Sequence, residues 1–590
     1  MSSASEKTLP TETSLIRAHT LMALAMAGWS ALLGVILAAK FSYPDMMSGH
    51  PWFTWGRIRY AHTQGIFFGW LGNAFLAFLY FAVPRLAERP VLSRRLGWLL
   101  FFLWNFLMVL PGWVLLHAGR SQPLEWGEFP REIDAIAVAS LALCLAQFVW
   151  PLLRASWARL YVSGWYIVGG LVFTTLAYPV GNMVPEFEPG ARGATYSGLW
   201  IHDAIGLYVT PLALAIAYLV IPLSTRRPIF SHFLSLIGFW LLFLVYPLNG
   251  THHYVFSSIP MEAQKAAIVA SVYLGVDVLL VVTNLLLSLR GQGGTVARDI
   301  PLRFVWVGVI CYLVVSLQGS LHALMPVNRF VHFTDWVIGH AHLALVGFAS
   351  FTAIGGLLFV HQRLPGVRYH PGLAGFSFWM LGVSLAFMVL DLTVAGLIQG
   401  QLWHADVPWM DSVRASQPYW LIRSVSGSGI LGGFITLFLS MVVGPIQQVS
   451  ERPGATHEDS EPATEASSPV EADPVGLGWL TSAHVILAIA GVGFFALSFL
   501  ALAVWPNRVL QEKILADLPS HLVAPSAGES RGRAIFIREG CGNCHSQLIR
   551  FTEDDVRRFG PPSQAWESAR DFPQLWGTRR IGPDLARERG

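Results

Sequence analysis

About thirteen stretches of this chain are apolar enough and long enough to cross a lipid bilayer, where roughly 20 residues suffice. They are centred near residues 27, 71, 107, 142, 170, 210, 239, 277, 314, 347, 387, 432 and 491. Inside a bilayer no water satisfies a backbone amide, so a spanning segment must be helical unless it closes into a barrel. Segments of this length are helices, and the predicted fold class is an all-α integral membrane protein. Charge agrees: 13% of the residues are Asp, Glu, Lys or Arg, against about 25% in soluble globular domains. A soluble enzyme is excluded, and no nucleic-acid partner is expected.

The net charge of +3 says little, but its distribution sets a topology. Connections after even-numbered spans carry Arg85, Arg89, Arg94, Arg95, Arg154, Arg159, Arg226, Arg227, Arg290, Arg298, Arg303, Arg363 and Arg368. The alternate connections are poorer in Lys and Arg and richer in acids. The positive-inside rule then puts the N-terminus and the basic loops in the cytoplasm, and the segment after the thirteenth span outside. The first apolar run lacks a small-residue cleavage site and reads as a retained span rather than a secretory signal.

Composition divides the chain further. Residues 1–14 read as a cytoplasmic N-terminal tail and 15–448 as a twelve-span body. Residues 449–476, rich in Glu, Pro, Ala, Ser and Thr, hold nothing that builds a core and read as a disordered cytoplasmic linker. Residues 477–505 follow as a single anchor span, and 506–590 as an outer domain. The arrangement looks like two genes joined into one.

Six histidines lie in or at the ends of apolar segments: His62, His202, His252, His253, His340 and His342. An ionisable ring at bilayer depth is costly and marks a functional site by default. One could be an interhelical hydrogen bond; six, with an adjacent pair and an i,i+2 pair, point to metal ligation. At about 100° per residue, His340 and His342 face directions some 200° apart. One helix can thus offer an imidazole to each of two hemes. His342 with His62 would make a six-coordinate, electron-transferring heme, and His340 a heme with an open face for a small gas. His202, His252 and His253 suit a second metal opposite that face, since three imidazoles with an open position favour copper or iron. The His252–His253 pair could alternatively cap a helix end.

Four cysteines occur. Cys144 and Cys311 lie in apolar spans and read as small buried side chains. Cys541 and Cys544 belong to the run CGNCH, the C-x-x-C-H pattern of c-type heme attachment, with His545 as an axial ligand. No methionine follows Met441, and the sequence ends at Gly590. Either another chain, His521 or water is expected on the opposite face of that iron, or the reading frame ends early; the cytochrome domain reads as incomplete.

Taken together, GRIRYAHTQGIFFGW, GLWIHDAIGLYVTP, YPLNGTHHYVF and DWVIGHAHLALVG resemble the catalytic subunit of C-type, or cbb3-type, heme-copper oxidases. REGCGNCHSQLIR and WGTRRIGPDLAR resemble that family's membrane-anchored monoheme cytochrome c subunit. The resemblance implies a twelve-helix oxidase bundle, an anchor helix and a partial cytochrome c-like domain. It implies a low-spin heme b on His62 and His342, a high-spin heme b on His340, CuB on His202, His252 and His253, and a c-type heme on Cys541, Cys544 and His545. Tyr246 falls where the family places a tyrosine cross-linked to the copper-binding histidine, here His202. Arg59 and His332 match heme-propionate partners, and Glu125, with Glu128, matches a calcium site. Ser235, Thr210, Tyr218 and Tyr246 match a proton path from the cytoplasmic side. Gly238 stands where a histidine is often found, so water is expected to bridge a gap. Gln318 stands in place of a glutamate near the high-spin heme.

The activity implied is reduction of dioxygen to water with electrons from cytochrome c or a multiheme cytochrome c subunit, coupled to proton translocation. The setting implied is the bacterial cytoplasmic (inner) membrane, with a periplasmic heme c domain and room for small membrane subunits. Nitric oxide reductases of the same superfamily share the six histidines but add a glutamate ligand one turn after the first span-six histidine. Gly206 occupies that turn here, and Tyr246 is present, which favours copper. A third reading is a gas-sensing or electron-transfer module that keeps its hemes without turnover.

Overall fold

The computed structural model describes residues 11–155, 160–365, 368–444, 491–520 and 524–587. The linker expected at 449–476, the anchor's first residues 477–490 and His521 lie outside the described residues.

Among the described residues, twelve helices are long and apolar enough to cross a membrane. In chain order, with one shorter helix between them, they are α1 (Thr13–Ser42), α2 (Trp55–Ala87), α3 (Arg94–His117), α4 (Arg131–Leu153), α5 (Val162–Glu186), α6 (Gly190–Thr225), α7 (His232–Leu248), α8 (Met261–Ser288), α9 (Ile300–Ala323), α10 (Asp335–Gln362), α11 (Pro371–His404), α12 (Trp409–Val442) and α13 (Gly491–Asp517). The short one is α7, one of the thirteen expected spans. It tightens into a 3-10 turn at Tyr246–Leu248, and a second 3-10 turn, Gly250–Tyr254, then carries His252 and His253. The chain gives up helix length there to deliver two adjacent imidazoles from a turn.

Polar residues just ahead of apolar runs start several spans. Ser93, Ser231, Asp299 and Thr334 each accept a backbone N–H from the first turn of the helix that follows, satisfying a donor that has no partner within the helix. The core is arranged around three helices. The most apolar windows of α2, α6 and α10 are 100%, 94% and 94% buried, against 28–56% in the other nine long helices. These three carry His62, His202 and the His340–His342 pair. Each widens into a π-helical stretch directly after its histidine: Gly65–Gly72, Ala204–Val209 and Leu343–Ser350. Such turns cluster at functional sites, because an extra residue per turn re-aims the side chains beside it.

The C-terminal domain lies over the ends of the bundle opposite the basic loops. Among the described residues its α-helices are α14 (Ala527–Arg538) and α15 (Glu553–Phe559). Glu539 pairs with Arg57 at 2.6 Å, Trp409 donates to the carbonyl of Ile581 at 2.7 Å, and Phe551 N–H donates to the carbonyl of Phe256 at 2.9 Å. Phe333 and Arg579 form a parallel bridge.

A buried charge cluster holds this domain together. Asp555 pairs with Arg550 at 3.1 Å and Arg580 at 2.8 Å, and all three are nearly inaccessible. Burial alone would raise the Asp555 carboxyl, but the two guanidinium groups hold it well below the usual carboxylate range. Its stabilising effect is therefore complete at neutral pH and is lost only as pH falls below that range. Asp555→Asn leaves two buried cations short of a counter-charge, at a cost of about 3–5 kcal/mol. The expected outcome is release of the domain by limited proteolysis under conditions where the parent protein resists; equal resistance would count against the cluster.

Candidate metal centre

Helix α10 separates two internal cavities, one on each side of its histidine pair. His342 and His62 line a cavity walled by α1, α2, α10 and α12. His340 lines the other, together with His202, Tyr246, His252 and His253. Each has mostly apolar walls with imidazoles reaching into it, the mix of apolar lining and a few placed polar groups that a cofactor site has. The opposed facing expected from helix geometry is what the structure has.

The hydrogen bonds of the rings support metal ligation. His62 Nδ1 lies 2.7 Å from the Ser30 carbonyl oxygen, and His342 Nδ1 lies 2.8 Å from that of Ile338. A carbonyl accepts only from N–H, so the proton sits on Nδ1 and the lone pair of Nε2 is left for a metal. His340 Nδ1 lies 3.4 Å from Gln318 Oε1, so the glutamine found in place of an acid still orients this ring. A histidine in lipid need not be a ligand, however. His19 Nδ1 bonds Asn73 Oδ1 at 2.7 Å, and Asn73 in turn bonds Asn105, which is a structural interhelical network.

His202, His252 and His253 converge, with ligand atoms all within 4.8 Å of one another. No other such cluster of His, Cys, Asp or Glu occurs among the described residues. His202 Nδ1 and His253 Nε2 are 3.2 Å apart, and His252 Nδ1 bonds Ser271 at 2.6 Å. Tyr246 stacks on His202 with ring centroids 4.5 Å apart and planes 15° apart. The Tyr246 ring also fills the space in front of Gly206: a Cβ there would lie 1.5 Å from Tyr246 Cε1. No side chain fits at position 206 while the tyrosine keeps this place. The donor set of three imidazoles beside a phenol, with no carboxylate among them, suits copper.

The CGNCH run turns tightly at Cys541–Asn543. Burial pushes the Cys544 thiol up to about 11. His545 Nδ1 lies 2.9 Å from the Pro583 carbonyl oxygen, again leaving Nε2 free to ligate. Asn543 of this run lines the His62–His342 cavity. The c-type heme motif therefore sits directly over the site expected to receive its electrons, a proximity invisible in the sequence.

Of the accessory residues, Arg59 lines the His62 cavity and pairs with Glu128 at 3.0 Å; Gln64 also donates to Glu128. Glu125 lines both large cavities, and burial pushes its carboxyl up to about 7 against the pull of Arg59. His332 and Thr210 line the His340 cavity. Ser235 is buried and donates to the carbonyl of its neighbour His232 at 2.6 Å, and Tyr218 is buried and stacked on Tyr166. Sequence reasoning missed Arg423, Arg579 and Asp335. The two arginines line the His62–His342 cavity, and both pair with Asp335. The sequence did carry a signal for Arg423, a lone cation inside an apolar run; Arg579 comes from the C-terminal domain and gave none.

Residues 14–429 match the family of cytochrome c and quinol oxidase polypeptide I, and residues 480–590 match the mono-heme subunit FixO of cytochrome c oxidase. The cbb3-type cytochrome c oxidase subunit CcoN1 of Stutzerimonas stutzeri is 26% identical over 69% of this chain and 89% of its own length. A nitric oxide reductase chain from the same organism is 21% identical over 72% of this chain and 93% of its own length. A cryo-EM structure of a heme-copper terminal oxidase dimer superposes with a TM-score of 0.62 at 13% identity, covering 90% of this chain and 99% of that one, which shows the shared fold. Both family matches imply heme, and the first also implies copper. The chain is thus a multi-pass membrane protein of the cytochrome c and quinol oxidase polypeptide I family, a cbb3-type heme-copper oxidase catalytic subunit continuous with its mono-heme subunit.

Proposed function

We propose that this protein is a terminal oxidase of a bacterial inner membrane, reducing dioxygen to water with electrons from cytochrome c or a multiheme cytochrome c subunit and translocating protons. The observation that carries this reading is Tyr246, stacked on His202 and seated over Gly206. A reductase-type centre needs a carboxylate where that ring lies.

His62 and His342 would hold a low-spin heme b, His340 a high-spin heme b, and His202, His252 and His253 a copper ion. Cys541, Cys544 and His545 would hold the c-type heme. When bound, these groups supply single-electron transfer and an open position for dioxygen. The chain's own residues do the rest. Arg59, Arg423 and Arg579 line the His62–His342 cavity and His332 the His340 cavity; they would hold heme carboxylates, and the guanidinium groups would do so through strong charge-assisted bonds. Glu125 and Glu128 lie on the same side and are the carboxylates offered to a calcium ion. Tyr246 holds a dissociable proton beside His202, and Thr210 lines the same cavity. With the basic loops in the cytoplasm, protons would enter from that side along Ser235, Tyr218 and Thr210, while electrons enter from the opposite, periplasmic face.

Oxygen uptake with reduced cytochrome c tests the reading. Rapid uptake with little nitric oxide consumption is expected; the reverse preference would overturn it. Gly206→Ala gives a second check, because the new methyl must displace the Tyr246 ring. Overpacking of this kind costs about 1–3 kcal/mol. Turnover should fall with heme content retained, and unaltered turnover would contradict the packing described.

A further inference from the structure

We propose that Asp277 carries protons from the basic face to the Tyr246 cavity, in the place that Gly238 leaves open; this rests on the oxidase reading above. Asp277 lies within α8, is 1% exposed, and neither carboxylate oxygen has a hydrogen-bond partner among the described residues. An acid in that condition at bilayer depth costs several kcal/mol, and such residues mark proton relays. Asp203 and Asp391 are buried without partners among the described residues too, so position singles out Asp277; other buried acids are plainly structural. Asp134 accepts from Tyr178 and Gln122 at 2.7 Å each, and Asp335 is bonded by Arg579, Gln399 and Trp420.

The surroundings give Asp277 a direction. A Cβ at Gly238 would lie 3.5 Å from Asp277 Oδ1 and 3.6 Å from the Tyr166 hydroxyl, with Val281 at 2.4 Å. Asp277 and Tyr166 thus reach one spot from α8 and α5, while Val281 bars a larger side chain on α7. The Tyr166 hydroxyl is likewise buried without a partner among the described residues. Tyr166 stacks on Tyr218 with centroids 5.6 Å apart. Asn284, which approaches Tyr218, bonds both backbone groups of Ser231 at the start of α7, next to the basic loop of Arg226 and Arg227. On the other side, Tyr312 lines the His340 cavity together with Tyr246 and Val278, the residue next to Asp277. Polar groups therefore run from the basic face to the cavity, and Asp277 is the carboxylic acid midway.

The step balances. Each dioxygen takes up four electrons and four protons to give two waters. For a proton bound for the cavity, the Asp277 O–H bond breaks and the proton passes to the Tyr246 side; the carboxylate then regains one from the Tyr166–Tyr218 side. No net change remains on the aspartate.

The test compares Asp277→Asn and Asp277→Glu in the full-length holoprotein, reading oxygen uptake against cytochrome c concentration beside heme spectra and carbon monoxide binding. For Asp277→Asn a fall in kcat of roughly 10²-fold is expected, with KM, spectra and carbon monoxide binding unchanged. Asp277→Glu should retain most of the turnover. Unchanged kcat in Asp277→Asn overturns the proposal, as does equal loss in both variants with altered heme spectra, which would mark a structural acid. Absence of oxygen uptake by the unsubstituted protein would instead overturn the oxidase reading itself.

Discussion

Tyr246→Phe is expected to stop dioxygen reduction while leaving every metal site intact. The substitution removes one oxygen atom and keeps the ring that packs over Gly206 and stacks on His202 at 4.5 Å. Packing, and with it the three-histidine cluster, is retained. What is lost is the dissociable proton, and a well-placed proton donor is worth roughly 10²–10⁴ in rate. The phenol is also the oxidisable side chain stacked on that cluster, so its removal takes an electron source as well as a proton source. Oxygen uptake, heme spectra and copper content of the same preparation provide the check. Uptake near that of the parent protein would remove Tyr246 from the chemistry.

His340→Ala is expected to abolish carbon monoxide binding and turnover together, with the optical signature of the low-spin heme preserved. The basis is the division of the α10 histidines between two cavities, with His340 facing the three-histidine cluster and His342 facing His62. Removing one imidazole would delete the proposed heme ligand of its own cavity and leave the other cavity's histidines in place. His342→Ala should do the converse and disturb the low-spin signal first. An exchange of these two phenotypes would mean that the pair is assigned the wrong way round.

Much of this site was legible in the sequence because its signals are local. The i,i+2 spacing of His340 and His342 sets them on opposite sides of any helix, the CGNCH run has the pattern of covalent heme attachment, and the absence of a side chain at Gly206 already spoke against a carboxylate ligand. What escaped depends on contacts between distant segments. Arg579 meets Asp335 across 244 positions, and no periodicity reports that the C-terminal domain reaches a cavity in the membrane body. The shortness of α7 was masked by its apolar run, which reads as a full span although the backbone turns at Tyr246–Leu248. Asp277 is a different case. A lone acid in VYLGVDVLLVV was visible, but its meaning rests on the unpartnered Tyr166 beside it and on Val281, contributed by its own helix, closing the gap at Gly238. The gap expected to be filled by water alone is lined by a carboxylate.

The most direct test is the metal content of the purified full-length protein, measured as copper against iron. The three proposed heme sites and the one three-histidine site should give about one copper for every three irons. A fourth iron with no copper would place a reductase-type centre at His202, His252 and His253, and the absence of any metal beyond a single c-type heme would contradict both cavities as cofactor sites.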